Sequence, residues 1–438
     1  MLVFGAMTFG TLALGAVTIG CGLGPLPSES VHAGDDDAGL AASSQSTVRS
    51  DDDSDGDLLD PLAWDPVIGP DGPPSNLALV GDEADAGPAE ATSSTAPATS
   101  TSTSPAAVAP ATTRRGAGGS IDTSIYIGAL GRIDRDQLIT GPRAPAPVAA
   151  PGTMPLTGLP GEAPNRPAIM VKVDNGGPAR PQTGLNAADI VVEEEVEGGV
   201  TRFAAIFHSA STVVGPVRSA RTTDIGVVNS LGSPLLLYSG ANGVTDALMR
   251  AQPTVQNRSA ATTSGYWRSS SRRAPSNLYS DTAAHWASAS GGPPPAQFAY
   301  RSPGEPIAGV ADTEFTVAYR ASHAGWSWSG SHWVRTQGSR AHMTAAGEQV
   351  TATNVVVVEA RELPTGMVDS SGANVPEFVF VGEGKATVFT GGKRIDGIWT
   401  RPTLASVATL THGAGAVIEL TPGRTWIELI KADAGMLR

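Results

Sequence analysis

The chain has 438 residues, with 29 Lys+Arg against 42 Asp+Glu, a formal net charge of −13 and a single cysteine. Residues 1–160 hold 19 acids and 6 bases, whereas residues 161–438 hold 23 of each. The second part is therefore neutral and lacks the basic footprint of a nucleic-acid binder, and one cysteine excludes an internal disulfide framework.

"MLVFGAMTFGTLALGAVTIG" is an apolar run of small residues that ends next to Cys21. Residues 1–21 are expected to be a signal peptide with a lipobox-like end, Cys21 being the lipidation site. No Lys or Arg precedes the run, and Thr18 stands where Leu is usual in such boxes. A lipid anchor would hold the protein outside the cytoplasm on the bacterial cell membrane; the alternatives are a signal-anchored or a secreted protein. Residues 22–160, rich in Ser, Thr, Pro and Asp, lack the branched and aromatic residues that build a core. They are expected to be a disordered tether.

From about Asn165 the texture changes. "RPAIMVKVDN" predicts a strand. "DIVVEEEVEGGVTRFAAIF" predicts a hairpin turning on Gly198–Gly199. In the expected register Glu195 faces Arg202 and Glu197 faces Val200. One face then carries Glu193, Glu195, Glu197, Arg202 and His208, and the other Val192, Val196, Phe203 and Phe207, with Glu194 as a misfit. After "GPVRSAR", Thr222 or Thr223 is expected to start a helix burying Ile225, Val228 and Leu231. "SPLLLYSG" then reads as a buried strand and "ANGVTDALMRA" as another helix. The expected architecture is an α+β, or α/β, domain over residues 161–295, ending near "GGPPP".

Residues 305–436 alternate Gly-rich turns with short runs of Val, Ile, Thr and aromatics, which predicts a second, mainly antiparallel β domain. Six of the eight tryptophans lie between Trp286 and Trp426, and this β-rich, Trp-bearing second domain is expected to add contact surface. "GEGKAT" at 382–387 is read as a turn rather than a phosphate loop.

The motifs DN, ARPQ-GL, AD, EGG-TRF and GPVRSAR occur in order, followed by "APSNLY". This pattern strongly resembles the YerB-like bacterial lipoprotein family, domain-of-unknown-function family 3048, over about residues 163–435. The resemblance implies a two-domain envelope lipoprotein and brings no established activity. Ser276 stands where the family usually has His, and Met343 and Thr344 follow His342 where Asp is common.

The candidate ligand-binding residues are Asp174, Asn175, Arg180, Glu193, Glu197, Arg202, Arg218, Ser219 and Arg221. Arginines beside a helix start suit a phosphate or carboxylate, because their forked donors grip planar anions and unpaired amides favour negative charge. The plainer reading is a set of ion pairs, Glu195–Arg202 and Glu193–Arg218, pinning hairpin to loop. No zinc spacing occurs, and no cofactor is implied. Asp174, Glu193 and Glu197 are the set that would hold Mg²⁺.

The function expected is binding of an anionic ligand, a cell-wall glycan or a protein partner. The alternative is a phosphate-handling envelope enzyme, a phosphotransferase or hydrolase, using Arg218 and Arg221 with Glu193 or Glu197 as acid/base. The order of strand, arginine-bearing loop and helix is similar in layout to the LytR-CpsA-Psr phosphotransferases, whose motifs do not match.

Overall fold

The computed structural model describes residues 145–369, 372–413 and 415–438. The expected signal segment with Cys21, and residues 22–144 of the expected tether, lie outside the described residues. Residues 145–160 correct the tether boundary, because this stretch joins the fold. Leu156 is buried in the core, its carbonyl accepts from Tyr300 Oη at 2.6 Å, and Gly423 N donates to the Thr157 carbonyl at 2.7 Å.

The first half supplies strands β1 (Ile169–Asp174), β2 (Ile190–Glu195), β3 (Thr201–Phe207), β4 (Val213–Val214), β5 (Leu235–Tyr238), β6 (Gln256–Ser259), β7 (Tyr266–Arg268) and β8 (Leu278–Asp281). Its helices are α1 (Thr223–Val228), α2 (Gly243–Arg250) and α3 (Thr282–Trp286). None exceeds eight residues, so the half expected to be α+β is largely β. Ile225, Val228 and Leu231 nevertheless reach the core as their spacing predicts, carried by α1 and a 3-10 turn at Asn229–Leu231.

The second half supplies β9 (Val310–Ala311), β10 (Glu314–Ala318), β11 (His323–Trp328), β12 (Trp333–Gln337), β13 (Arg340–Ala341), β14 (Thr351–Ala352) and β15 (Asn354–Val368). It continues with β16 (Asn374–Val379), β17 (Gly382–Thr390), β18 (Lys393–Arg401), β19 (Thr409–His412), β20 (Ala416–Val417) and β21 (Thr425–Lys431). These strands pair largely antiparallel, as expected. "GEGKAT" opens β17 rather than making a turn. Gly384 fits there because it has no Cβ, which would lie 2.6 Å from Trp399 Nε1.

Both halves share one sheet, in the order β20-β19-β18-β17-β15-β21-β2-β3-β1-β5-β6. The last strand, β21, lies between β15 and β2 and is parallel to both. Strands β1, β2, β5, β6, β15 and β21 all run the same way, since β3 is antiparallel to β1 and β2. One face packs on α1, α2 and β16 through Ile225, Val228, Met249 and Phe378. The other packs on the β10–β14 sheet and on β8 through Val317, Trp326, Trp333 and Leu278. Trp326, Trp333, Trp399 and Trp426 are each at most 2 % exposed. These four tryptophans belong to the core.

Candidate functional site

The hairpin turn decides which side chains meet. Val196 N donates to the Val200 carbonyl at 2.8 Å, and Glu197–Gly199 form the turn, with Gly198 and Gly199 at φ of 68° and 77°. The loop is thus one residue longer than expected, and Glu194, not Glu195, pairs with Arg202. A slip of one residue exchanges the faces of a strand. Glu194, the misfit of the expected register, lies on the face of Arg202; Glu193 and Glu195 lie on the opposite face with Phe203.

On the Arg202 face a group of charges gathers at the carboxyl ends of β1 and β2. Lys172 Nζ bridges Glu194 and Asp224, the latter at 2.9 Å, with all three side chains fully buried. Burial pushes the Glu194 carboxyl up to about 7 against the pull of Lys172. Removing one member of such a buried set leaves an uncompensated charge and costs about 3–5 kcal/mol. Arg218 Nε lies 3.2 Å from Asp174 Oδ2, which also accepts from Ser276 Oγ at 2.9 Å. Arg221 pairs with Glu197. Burial would raise the Glu197 carboxyl, but Arg221 and Arg202 outweigh it and hold it below the usual range.

Arg202 stands between these pairs. Among the described residues its guanidinium hydrogen-bonds to the Ser219 carbonyl alone, at 3.0 Å, and forms no ion pair. Burial, reinforced by the charges of Arg221 and Arg218, pulls it down to about 10. Ser219 Oγ meets Ser239 Oγ at 3.2 Å. The three arginines are 2 %, 1 % and 8 % exposed in the order Arg202, Arg218, Arg221. The site is therefore nearly enclosed rather than an open cradle.

The opposite face holds a second polar group. Arg335 Nη2 donates to Glu193 Oε2 at 2.6 Å, and Thr201 Oγ1 donates to Glu193 Oε1 at 2.7 Å. Asn175 Nδ2 donates to Thr201 Oγ1 and to Gln337 Oε1 at 2.7 and 3.0 Å. His342 Nδ1 accepts from Arg335 Nη1 at 2.6 Å, and its Nε2 donates to Gln182 Oε1 at 2.8 Å. Arginine has no acceptor, so this arrangement assigns the neutral Nε2–H tautomer. Burial, then Arg335 and Arg180, hold that imidazole well below its usual range. The Arg335 guanidinium also lies 5.1 Å from the Trp426 ring and 5.6 Å from Phe203.

The candidate residues thus divide. Asp174, Glu197, Arg202, Arg218, Ser219 and Arg221 come together on one side. Asn175 and Glu193 are engaged with Arg335 and Gln337 on the other, joining the two halves of the chain. The half-buried Arg180 carries the carbonyl to which Arg272 donates at 3.4 Å. The expected Glu195–Arg202 and Glu193–Arg218 pairs do not form, because Glu195 meets Arg320 at 2.6 Å and Glu193 meets Arg335. The expected helix start adds little: α1 is six residues long, and its Asp224 Oδ2 already accepts from Arg221 N at 2.7 Å. The Mg²⁺ set is split between faces, and among the described residues no three His, Cys, Asp or Glu side chains are grouped to hold a metal. Lys172, Glu194 and Asp224 were missed, although a lysine in "IMVKVD" beside a misfit glutamate is the signal of a buried pair.

Comparison with known proteins matches this architecture to one family. The family model described as "Protein of unknown function (DUF3048) N-terminal domain" matches residues 156–293, and its C-terminal counterpart matches residues 313–427. The chain belongs to the DUF3048 family. A relative in this family is "Putative lipoprotein YerB" of Bacillus subtilis (strain 168), 38 % identical over 128 residues. That match spans 28 % of this chain and 39 % of the relative, well under two thirds of its length. The crystal structure of YerB from Bacillus subtilis superposes with a TM-score of 0.55 at 24 % identity, covering 65 % of this chain and 98 % of that one. At that identity the likeness concerns the DUF3048 fold alone.

Proposed function

We propose that this chain is an extracytoplasmic lipoprotein, anchored to the membrane through Cys21, whose Arg202–Arg218–Arg221 group binds an anionic ligand of the cell envelope. The anchor is supported by the lipobox-like end of the apolar run and by the printed name of the Bacillus relative. The binding reading is carried by Arg202, a buried guanidinium flanked by two more and hydrogen-bonded among the described residues only to a carbonyl. Buried charges are stable when paired, and a phosphate or carboxylate accepting from its fork would supply that partner. The place is also one where open sheets bind ligands, outside the carboxyl ends of parallel strands.

Recognition is favoured over catalysis by the carboxylates at hand. Glu197 is held ionised by two arginines, Asp174 is bonded to Arg218 and Ser276, and Glu193 is on the far face. That leaves no free acid–base partner among the residues proposed for one.

Thermal unfolding of the full chain with increasing pyrophosphate tests the reading. Ligand at a hundred times its Kd stabilises by about 2.7 kcal/mol. The wild type should therefore rise clearly in Tm, and Arg202→Gln should need at least about tenfold more pyrophosphate for the same rise. The rise is compared within each protein, because the substitution changes basal stability as well. Equal dose dependence in both proteins would remove the site.

A further inference from the structure

The small sheet β4-β8-β7 exposes side chains on one face. Trp267 of β7 is 43 % exposed and sits across the ladder from Tyr279 of β8. Their rings are nearly parallel, at 25° with centroids 6.4 Å apart. Gly215 lets the backbone press on Tyr279, since a Cβ there would lie 2.6 Å from Tyr279 Cδ1. Val213 of β4, 37 % exposed, pairs with Asp281 and so extends the same face. Asp281 Oδ1 accepts from Ala283 N at 2.9 Å and caps α3.

The chain around this paved surface is basic. From Ala247 to Asp281 it has five arginines and one acid, Asp281, whose carboxylate is engaged in capping α3. Arg272 donates to the carbonyls of Pro178 and Pro181 at 2.9 and 2.6 Å, which fastens the loop joining β7 to β8. Arg268 donates to Asn277 Oδ1 at 2.6 Å and stays exposed. Arg273 is exposed and makes no side-chain hydrogen bond or ion pair among the described residues.

We propose that this face is a platform for an anionic carbohydrate, with a sugar ring lying on Trp267 and its phosphate or carboxylate groups reaching Arg273 in the adjoining β7–β8 loop. A pyranose presents weakly positive C–H bonds on one face, and the negative face of an indole receives them. The Arg273 guanidinium supplies charge complementarity beside it. An anionic bilayer is less well matched, because Trp267 is held nearly parallel to Tyr279 and is no freely projecting apolar tip. An acidic peptide would use the arginines and leave the ring face without a role. The platform uses residues other than those of the Arg202 group, so pyrophosphate binding and carbohydrate binding can fail independently.

The test is titration of the full chain with hexagalacturonate, maltohexaose and polyglutamate, together with sedimentation against phosphatidylglycerol vesicles. Hexagalacturonate should bind, maltohexaose far more weakly. Trp267→Ala should weaken hexagalacturonate by about tenfold, while Trp267→Phe restores most of the loss. Arg273→Gln should weaken it severalfold, and none of the three should change the pyrophosphate response or, by more than a few degrees, Tm. Hexagalacturonate binding that ignores both Trp267→Ala and Arg273→Gln overturns the platform. So does a loss of polyglutamate or vesicle binding in Trp267→Ala as large as the loss of hexagalacturonate.

Discussion

Among single residues, Glu428 gives the sharpest test of how the second polar group is built. It is fully buried on β21, accepts from Tyr319 Oη and Trp326 Nε1 at 2.6 and 2.7 Å, and pairs in the ladder with Glu193. Burial and the Glu193 charge, opposed by Arg335, push its carboxyl up to about 8 from 4.5. Below pH 4.5 it is protonated in both folded and unfolded chains. Between pH 4.5 and about 8 the unfolded chain ionises it while the folded chain keeps the proton, so stability falls as pH rises. His342 acts oppositely, because its depressed folded pKa means that the unfolded chain takes up the extra proton below pH 6.5. That contribution is common to wild type and variant and cancels in their difference. Glu428→Gln should therefore gain on the wild type between pH 5 and pH 8 in denaturant melts. A difference that stays constant across this range would mean that Glu428 titrates normally.

Among the elements, the hairpin β2–β3 carries the most information per residue. Gly198 and Gly199 both occupy the left-handed region, but their surroundings differ. A Cβ on Gly198 meets nothing within 4 Å, whereas one on Gly199 would lie 2.7 Å from Arg320 Cβ. Gly198→Ala should cost about 1–2 kcal/mol from backbone conformation. Gly199→Ala should cost more, because overpacking adds to the strain, and equal losses in chemical denaturation would contradict this packing. Much of this element was legible in the sequence. Its strands, its glycine turn and the helix that follows are marked by alternation and by the spacing of Ile225, Val228 and Leu231. The register was not, because a two-residue and a three-residue Gly-Gly turn differ by one position that local composition does not fix. That one position moved Glu193 to the far face and Glu194 next to Lys172. Arg335, Gln337 and His342 were invisible as partners for another reason: they are more than 140 residues from Glu193, and only the folded sheet brings them near.

At the scale of the molecule, the C-terminal strand holds the halves together. Strand β21 separates β15 from β2, and Trp426, Glu428 and Ile430 face one core while Ile427 and Leu429 face the other. Ending the chain after Gly423 would remove the centre of the sheet and leave β2 and β15 with unpaired edges. Such a truncation should lose cooperative unfolding in both halves; a first half that still melts as a unit would show that it stands alone. The same sheet places Asp174, Arg202 and Arg218 at one carboxyl edge, and the proposed function depends on that edge. Diffraction from crystals soaked in selenate, with the anomalous signal located, tests it most directly. The account predicts a selenium peak within hydrogen-bonding reach of Arg202 and at least one of Arg218 and Arg221. Soaked crystals whose anomalous peaks all lie elsewhere, with Arg202 still bonded only to the Ser219 carbonyl, would contradict it.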